Sequence, residues 1–288
     1  MTHTDSGLAT AYARAYHQIA PEPRVFSDPL AVRILGISPS DLDDRDTATL
    51  TEPDDPGRQR QRRMFVVARA RFAEETIDAA FSGRAGQVVL LGAGLDTFGY
   101  RNSNANLRVF EVDDPRTQAW KRTRLVDAGI DIPTSLAFVP VDFETGALAE
   151  ALRDAGFVSS EAAVFVWLGV VMYLTSSAIA DTLNLIAAHR APAWLVMDYL
   201  QPASASPPVA RAAFQARRER VAALGEPWLT FFTVNGIQEM LHDYGFGDID
   251  DRSAPNLLSG YGAGQLAAAS DIQAPPHVLR ARSVHPTA

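Results

Sequence analysis

The sequence has no cysteine among its 288 residues. This absence excludes disulfide bonds, thiolate metal sites and a cysteine nucleophile, and it is typical of a reducing compartment such as the cytosol. Basic residues are in deficit too, since 26 Lys and Arg stand against 34 Asp and Glu and give a formal net charge of −8. Because a negative protein is repelled by phosphates, we expect no general affinity for nucleic acids or anionic membranes.

Long hydrophobic runs are also missing. Runs such as that from Ala162 to Leu174 fall short of the roughly 20 residues that span a bilayer. The N-terminus, M-T-H-T-D-S-G, has neither the basic nor the apolar region of a secretory signal, so we expect a cytoplasmic protein without a membrane anchor. No H-E-x-x-H, C-x-x-C or EF-hand spacing occurs, which predicts that no metal is bound, and the absence of G-x-S-x-G disfavours an α/β-hydrolase.

What the sequence does contain is a repeated alternation of short apolar runs and helical stretches. Apolar residues make up 47% and charged residues 21%, as in a folded globular protein. The alternation begins near residue 86 and predicts a doubly wound, mostly parallel α/β sheet. The predicted strands are 87–91, 107–112, 137–141, 163–168, 194–198, 248–252 and 277–284. We expect residues 1–84 to form a helical N-terminal cap and residues 85–288 to form the core, with an insertion near 200–234 that covers the substrate.

A glycine turn follows the first predicted strand, in V-V-L-L-G-A-G-L-D-T from Val88 to Thr97. Gly92 and Gly94 lack a Cβ atom, so the backbone can turn sharply and approach a ligand closely. A dinucleotide fingerprint requires a third glycine, and that position is Thr97. The turn therefore suits an adenosyl ligand without a pyrophosphate better, although an ordinary strand-to-helix turn has the same pattern.

An acidic residue ends the second predicted strand, in V-F-E-V-D-D-P. Asp113 follows Gly94 by nineteen positions, close to the spacing at which α/β nucleotide sites present a ribose-binding acid. Strand alternation places Glu111 on the same face. The alternative is that these acids only begin the next helix; we expect Asp114, before Pro115, to be its cap and Asp113 to point toward the ligand.

The third predicted strand also ends in an acid, in F-V-P-V-D-F. In the same sheet its end lies on the ligand side, so Asp142 could accept a hydrogen bond from an adenine amino group and the Phe143 amide could donate to a ring nitrogen. The alternative is that Asp142 belongs to a loop before a helix that Thr145 caps. The sequence leaves both open.

Taken together, these segments resemble the leucine carboxyl methyltransferase family of class I S-adenosylmethionine-dependent methyltransferases, and within it an actinobacterial branch of O-methyltransferases. The segments that carry the resemblance, each with the number of its first residue, are R-V-F-S-D-P-L-A (24), V-A-R-A-R-F (67), V-V-L-L-G-A-G-L-D-T-F-G-Y-R (88), V-F-E-V-D-D-P (109), F-V-P-V-D-F (138), V-F-V-W-L-G-V-V-M-Y-L-T (164) and G-E-P-W-L-T-F-F-T (225). The resemblance implies a seven-stranded methyltransferase sheet under a helical cap, with S-adenosyl-L-methionine as cofactor.

The resemblance also implies roles for particular residues. Arg69 would bind the methionine carboxylate, which agrees with the forked geometry of a guanidinium. Arg14 would add a second cation from the cap. The expected cofactor-binding residues are Arg69, Gly92, Gly94, Asp113, Asp142 and Phe143.

Two acids found in related enzymes are missing from this sequence. Leu90 occupies the position two before the first glycine, where many class I enzymes carry an acid. Leu168 occupies the position five before Tyr173, where the resemblance implies a glutamate that contacts the cofactor. The sequence does not say what replaces these acids. The acidic 41–57 loop and the 200–234 insertion are candidates for substrate specificity.

None of the six histidines lies in a motif that predicts catalysis, so we expect no catalytic residue beyond the cofactor-binding set. A carboxylate acceptor is ionised at neutral pH and needs no base, whereas a phenol or alcohol profits from one. We predict direct methyl transfer to the oxygen of a small-molecule carboxylate or phenol, with Tyr173, Tyr199 and Trp228 lining the substrate site. A nicotinamide-dependent oxidoreductase and a non-catalytic protein that binds S-adenosylmethionine are the alternatives. The sequence makes no prediction of oligomeric state.

Overall fold

A computed structural model of the chain describes residues 5–20, 24–42, 56–145, 147–265 and 274–283. Seven strands form one sheet, which confirms the predicted fold class. The strands are β1 (Gly86–Leu91), β2 (Leu107–Asp113), β3 (Leu136–Pro140), β4 (Ala163–Trp167), β5 (Ala193–Tyr199), β6 (Phe246–Ser253) and β7 (His277–Ser283). Their order is β3-β2-β1-β4-β5-β7-β6, and β7 is antiparallel to both of its neighbours.

Helices precede the sheet and connect its strands. Among the described residues, the helices before β1 include α1 (Asp5–Ile19), α2 (Ala31–Leu35) and α3 (Pro56–Phe81). Those that follow are α4 (Phe98–Arg101), α5 (Pro115–Asp127), α6 (Leu148–Asp154), α7 (Ser176–Ala187), α8 (Pro208–Ala223), α9 (Val234–Asp243) and α10 (Ala254–Gly260). Within the described residues, no helix has both the length and the hydropathy needed to cross a membrane.

The order of the strands reverses at β1. From β1 the chain moves outward through β2 and β3, and it then returns to form β4 on the other side of β1. All three pairings from β3 through β4 are parallel, so these strands end at one edge of the sheet. Ligands of doubly wound sheets bind outside the carboxyl ends of the strands at such a switch point. We therefore expect a ligand site at the turns after β1 and β4.

Apolar residues of the central strands point alternately into two cores. On one face, Val88 and Leu90 pack with Phe72 of α3 and Leu257 of α10. On the other face, Val89 and Leu91 pack with residues of α7 and α9. Every residue of β1 and β4 is buried, as expected for parallel strands covered on both faces.

Four of the described helices begin at a side chain that caps them. Asp114 accepts a hydrogen bond from the Arg116 N–H at 2.8 Å and begins α5, and Thr233 accepts from the Gly236 N–H at 3.1 Å and begins α9. Helix α10 was not predicted, because its stretch is rich in Gly, Ala and Ser. Its signal is the cap Ser253, which accepts from the Asn256 N–H at 3.4 Å.

The cap region departs from the sequence prediction at the second helix. Ser27, Asp28 and Pro29 predict the cap and first turn of a short helix over 28–36, whereas α2 begins at Ala31. The reason is that Asp28 is fully buried and binds the guanidinium of Arg14 instead of serving only as a helix cap. Residues 43–55, most of the acidic loop proposed for substrate specificity, lie outside the described residues.

His17 holds the segment after α1 in place as a neutral side chain. Its Nε2 atom accepts from the backbone N–H groups of Val25 at 3.1 Å and Phe26 at 3.2 Å, and the residue is only 3% exposed. Burial, aided by the nearby Arg24, lowers the pKa of His17 from 6.5 to about 4. A protonated imidazole could no longer accept these bonds, so the folded state resists protonation that the unfolded state allows.

We therefore expect the free energy of unfolding to fall as the pH drops from about 6.5 toward 4, by about 3 kcal/mol from this residue. The stabilisation is fully present above the unfolded pKa of 6.5. Glutamine retains an acceptor and does not titrate, so His17→Gln should show a weaker pH dependence in urea unfolding between pH 7.5 and pH 4.5. Identical pH dependence of the two proteins would contradict this role for His17.

Candidate functional site

The glycine turn after β1 has a backbone that only glycine adopts easily. Gly92 has a φ of +73° and Gly94 a φ of +44°, both in the left-handed region. A Cβ atom on Gly92 would lie 2.2 Å from Cγ2 of Val170, whereas one on Gly94 would meet no atom within 4 Å. The turn after β1 thus packs against the turn after β4 at Gly92 and faces open space at Gly94.

Asp113 lies beside this open space. Its Oδ2 accepts from the Gly94 N–H at 2.6 Å, and its Oδ1 accepts from the Asp114 N–H at 2.8 Å. Burial raises the pKa of Asp113, while these two hydrogen bonds act in the opposite direction. The side chain is half-buried, and each carboxylate oxygen can accept a further bond from a ligand. Asp114 serves as the helix cap, as the sequence predicted.

Glu111, on the same strand, has a different role. It is fully buried, and its Oε2 lies 2.8 Å from the Lys121 Nζ and accepts from the Tyr100 hydroxyl at 3.0 Å. Burial raises the pKa of Glu111, and Lys121 opposes that shift. Asp113 is therefore the acid of β2 that is available to a ligand.

The end of β3 lies next to the end of β2, because the Val141 N–H donates to the Asp113 carbonyl at 2.9 Å. Asp142 is exposed, and its Oδ1 accepts from the Glu144 N–H at 3.0 Å. Phe143 is half-buried against the core. The structure thus brings Asp142 and Phe143 to the same edge as Asp113. Thr145 does not cap a helix, since its hydroxyl donates to the Asp142 carbonyl.

Arg69 reaches this edge from α3. It is 7% exposed, and its Nη1 forms an ion pair with Oδ2 of Asp198 near the end of β5. The other oxygen of Asp198 accepts from the Gly169 N–H, after β4, at 2.6 Å. Sequence reasoning missed Asp198, although an acid near the end of the fifth strand, in W-L-V-M-D-Y, was the available signal.

The three predicted substrate-contacting aromatic residues differ in exposure. Tyr173 is half-buried in the turn of Val171–Tyr173 after β4. Tyr199 is 1% exposed, and its hydroxyl donates to Oδ2 of Asp251 at 2.7 Å. Trp228 is 5% exposed and packs on Phe214, with 6.0 Å between the ring centroids. In this conformation Tyr199 and Trp228 belong to the packed interior, so Tyr173 is the most accessible of the three.

A histidine that no motif identified lies close to this edge. His277 begins β7 and pairs with Tyr199 at the end of β5, because the two strands are antiparallel. Its Nδ1 lies 2.8 Å from Oδ1 of Asp251, the same carboxylate that binds the Tyr199 hydroxyl. A histidine oriented by a carboxylate is the usual arrangement of a general base, but His277 is only 8% exposed.

Arg14, expected as a second cation for the cofactor, is engaged within the protein. Its guanidinium donates to Asp28 at 2.6 Å, to Asp96 at 2.8 Å and to the Thr97 hydroxyl at 2.8 Å. Burial works against the charged form of Arg14, but Asp96 and Asp28 raise its pKa above the ordinary value. Arg14 therefore anchors α1 to the residues that follow the glycine turn.

A glycine turn, a carboxylate at the end of β2 and a cation thus lie together at the switch point of a Rossmann-like sheet, where ligands of such sheets bind. The family model for leucine carboxyl methyltransferases matches residues 7–187, and the chain belongs to that family. It is an S-adenosylmethionine-dependent methyltransferase and not the nicotinamide-dependent oxidoreductase that the sequence left as an alternative. The open space at Gly94 beside the half-buried carboxylate of Asp113 fits the adenosyl group of this cofactor.

Two relatives illustrate the family. One, from Bacillus subtilis (strain 168), is named as the S-adenosyl-L-methionine-dependent methyltransferase YktD; it is 31% identical over 260 residues, which cover 83% of this chain and 85% of the relative. Another, from Mycobacterium tuberculosis (strain ATCC 25618 / H37Rv), is also named as an S-adenosyl-L-methionine-dependent methyltransferase. It is 34% identical over 199 residues, which cover 65% of this chain and 60% of the relative.

Solved structures support the fold. One is the crystal structure of a protein from Thermobifida fusca YX, named as a methyltransferase. The superposition covers 95% of this chain and 94% of that protein. The TM-score is 0.57 at 17% sequence identity, so the likeness concerns the fold alone.

Proposed function

We propose that this methyltransferase transfers its methyl group directly to the oxygen of a small-molecule carboxylate or phenol. The observation that carries the proposal is the convergence of Asp113, the Gly92–Gly94 turn and Arg69 at the switch point, next to an insertion that packs over the turn after β4. The first three provide a donor site and the insertion provides a wall for a small acceptor.

The donor would be held by residues that follow β1, β2 and β3 and by Arg69 of α3. Asp113 can accept from the two ribose hydroxyls, and Asp142 and the Phe143 amide can bind the adenine ring. Arg69 can donate two parallel bonds to the methionine carboxylate. When bound, S-adenosylmethionine supplies an activated methyl group and its own leaving group. The chain's task is then to position the acceptor oxygen in line and to exclude water.

The acceptor would bind under the insertion of residues 200–234. The Leu229 N–H donates to the Met172 carbonyl at 2.7 Å, and the Phe232 N–H donates to the Leu200 carbonyl at 3.0 Å. Met172 also packs with Phe214 of α8. These contacts seat the insertion on the edge of the sheet that carries the donor residues. We therefore assign it as the substrate lid and Tyr173 as the aromatic residue best placed to contact the acceptor.

A carboxylate is the favoured acceptor. It is ionised at neutral pH and needs no proton removed, whereas a phenol requires a base for efficient transfer. Among the described residues, His277 is the one histidine at this edge that a carboxylate orients as it would a general base. Its side chain is almost completely buried. A buried imidazole suits packing between β5 and β7 better than proton abstraction from a free substrate.

The acceptor class can be read from the product. The protein is incubated with S-adenosylmethionine labelled in its methyl group and with panels of small carboxylic acids and of phenols. We expect label to enter a carboxylic acid as a methyl ester, which releases volatile methanol on treatment with alkali. Alkali-stable label on a phenol would overturn the preference for a carboxylate, and label on nitrogen or carbon would overturn O-methylation altogether.

A further inference from the structure

An acid on another strand can compensate for the two acids that are missing at Leu90 and Leu168. Leu90 is buried in the core and Leu168 packs beside it, so neither position presents a charge. The acid near this place is Asp198 of β5. We propose that Asp198 is a positioning residue for the amino acid end of S-adenosylmethionine, and that it acts through Arg69 and the Gly169 amide. The inference rests on the proposed donor site.

Asp198 holds its two partners with separate oxygens. Oδ2 pairs with Arg69, which comes from α3, and Oδ1 accepts from the Gly169 N–H at 2.6 Å. The Asp198 side chain is 2% exposed and that of Arg69 is 9% exposed. A carboxylate this deeply buried and doubly bonded has few alternative positions, so it fixes the guanidinium in one orientation.

Gly169 completes this three-residue clamp of Arg69, Asp198 and Gly169. Its φ is +74°, and a Cβ atom placed on it would lie 2.9 Å from Nη2 of Arg69. The guanidinium therefore rests directly on the backbone of the turn after β4. A side chain at this position would both strain the backbone and displace Arg69.

The clamp is next to the glycine turn. Val170 follows Gly169 and is the residue that a Cβ atom on Gly92 would strike at 2.2 Å. The turn after β4, which carries Gly169 of the clamp, thus contacts the turn after β1 across the switch point. This contact places Arg69 where the amino acid end of the cofactor lies if its adenosyl group lies beside Asp113 and Gly94.

The charges of the clamp complement a zwitterion. The methionine end of the cofactor carries one carboxylate and one ammonium, and the Arg69–Asp198 pair offers one charge of each sign. Arg69 alone would favour the carboxylate but repel the ammonium. Within the described chain, neither Leu90 nor Leu168 supplies a negative charge, so Asp198 offsets the charge of Arg69 and keeps the guanidinium from repelling the ammonium.

The test compares two ligands that differ only at this end. S-adenosylhomocysteine carries the amino acid group, and 5′-methylthioadenosine keeps the nucleoside and the sulfur without it. Calorimetric titration of Asp198→Asn should show S-adenosylhomocysteine bound about tenfold more weakly or worse, with 5′-methylthioadenosine bound within about twofold of the unchanged protein. Glu74→Gln is the matched control, because Glu74 also lies on α3 and forms an ion pair, with Arg101, that lies outside the clamp. This substitution should alter neither affinity.

Arg69→Ala should give the same selective loss. The double variant of Arg69→Ala and Asp198→Asn should bind S-adenosylhomocysteine no more weakly than Arg69→Ala alone, because Asp198 acts through Arg69. Equal losses for both ligands in Asp198→Asn would show a merely structural role, and additive losses would show that the two residues act separately. Either result overturns the inference.

Gly169→Ala provides a second route if Asp198→Asn does not fold. It leaves both charges in place but displaces the guanidinium, so the same selective loss of S-adenosylhomocysteine is expected, and an unchanged affinity contradicts the clamp. Failure of the unchanged protein to bind either ligand would overturn the donor site itself. Failure to find a methylated carboxylate or phenol would overturn the proposed acceptor and leave the clamp standing.

Discussion

Replacement of Asp28 by alanine should lower the free energy of unfolding by about 3–5 kcal/mol, the usual cost of removing one partner of a buried ion pair. Asp28 is fully buried, and its Oδ2 accepts from Arg14 at 2.6 Å and from the Thr97 hydroxyl at 2.7 Å. Arg101 approaches the other oxygen to 3.5 Å. Without this carboxylate, two guanidinium groups remain in the interior with one fewer counter-charge.

Urea unfolding followed by circular dichroism measures this loss. Asp41→Ala is the control, because Asp41 is an exposed acid of the same N-terminal region whose carboxylate accepts from the Ser38 N–H at 3.2 Å. It should change the stability by less than about 0.5 kcal/mol. If Asp28→Ala cost less than about 1 kcal/mol, the buried network would not be what holds α1 against the turn after β1.

The second large effect concerns the donor site. Asp113→Ala should weaken the binding of S-adenosylhomocysteine by about 1.5–3 kcal/mol, the scale of hydrogen bonds to a charged group. The substitution removes the expected acceptor of the ribose hydroxyls and also releases the Gly94 N–H, which Asp113 holds at 2.6 Å. Calorimetric titration measures the affinity, and thermal melting shows that the variant is folded.

Asp114 gives a matched control one residue away. Its side chain caps α5, so Asp114→Ala should destabilise the protein by about 1 kcal/mol and leave the affinity for S-adenosylhomocysteine unchanged. The pair of variants therefore separates ligand binding from helix capping. An unchanged affinity in Asp113→Ala would mean that another acid binds the ribose.

The fold and part of the site could be predicted because they depend on local patterns. Short β-branched runs bounded by glycine predict buried parallel strands, and the order of strands and helices then places the carboxyl ends of these parallel strands on one edge. Pro115 indicated Asp114 as the cap of α5, and the spacing to Gly94 indicated Asp113 as the acid beside the glycine turn. Both depend on residues that are close in the sequence.

Other features depend on packing that spacing alone does not determine. Asp198 and Arg69 are 129 positions apart, and Arg14 and Asp96 are 82 apart. The sequence could not show that Glu111 would be paired with Lys121 while Asp113 stays half-exposed. Nor could it show that Tyr199 and Trp228 would be buried, since aromatic residues serve a core and a substrate wall equally well.

The central claim is that the edge defined by Gly92, Asp113 and Arg69 binds the S-adenosyl cofactor. Calorimetric titration of the unchanged protein with S-adenosylhomocysteine tests it most directly. We predict saturable binding at one site per chain, competed by S-adenosylmethionine and weakened by Asp113→Ala. The absence of binding by folded protein, or thermal stabilisation by NAD and not by S-adenosylhomocysteine, would contradict the account.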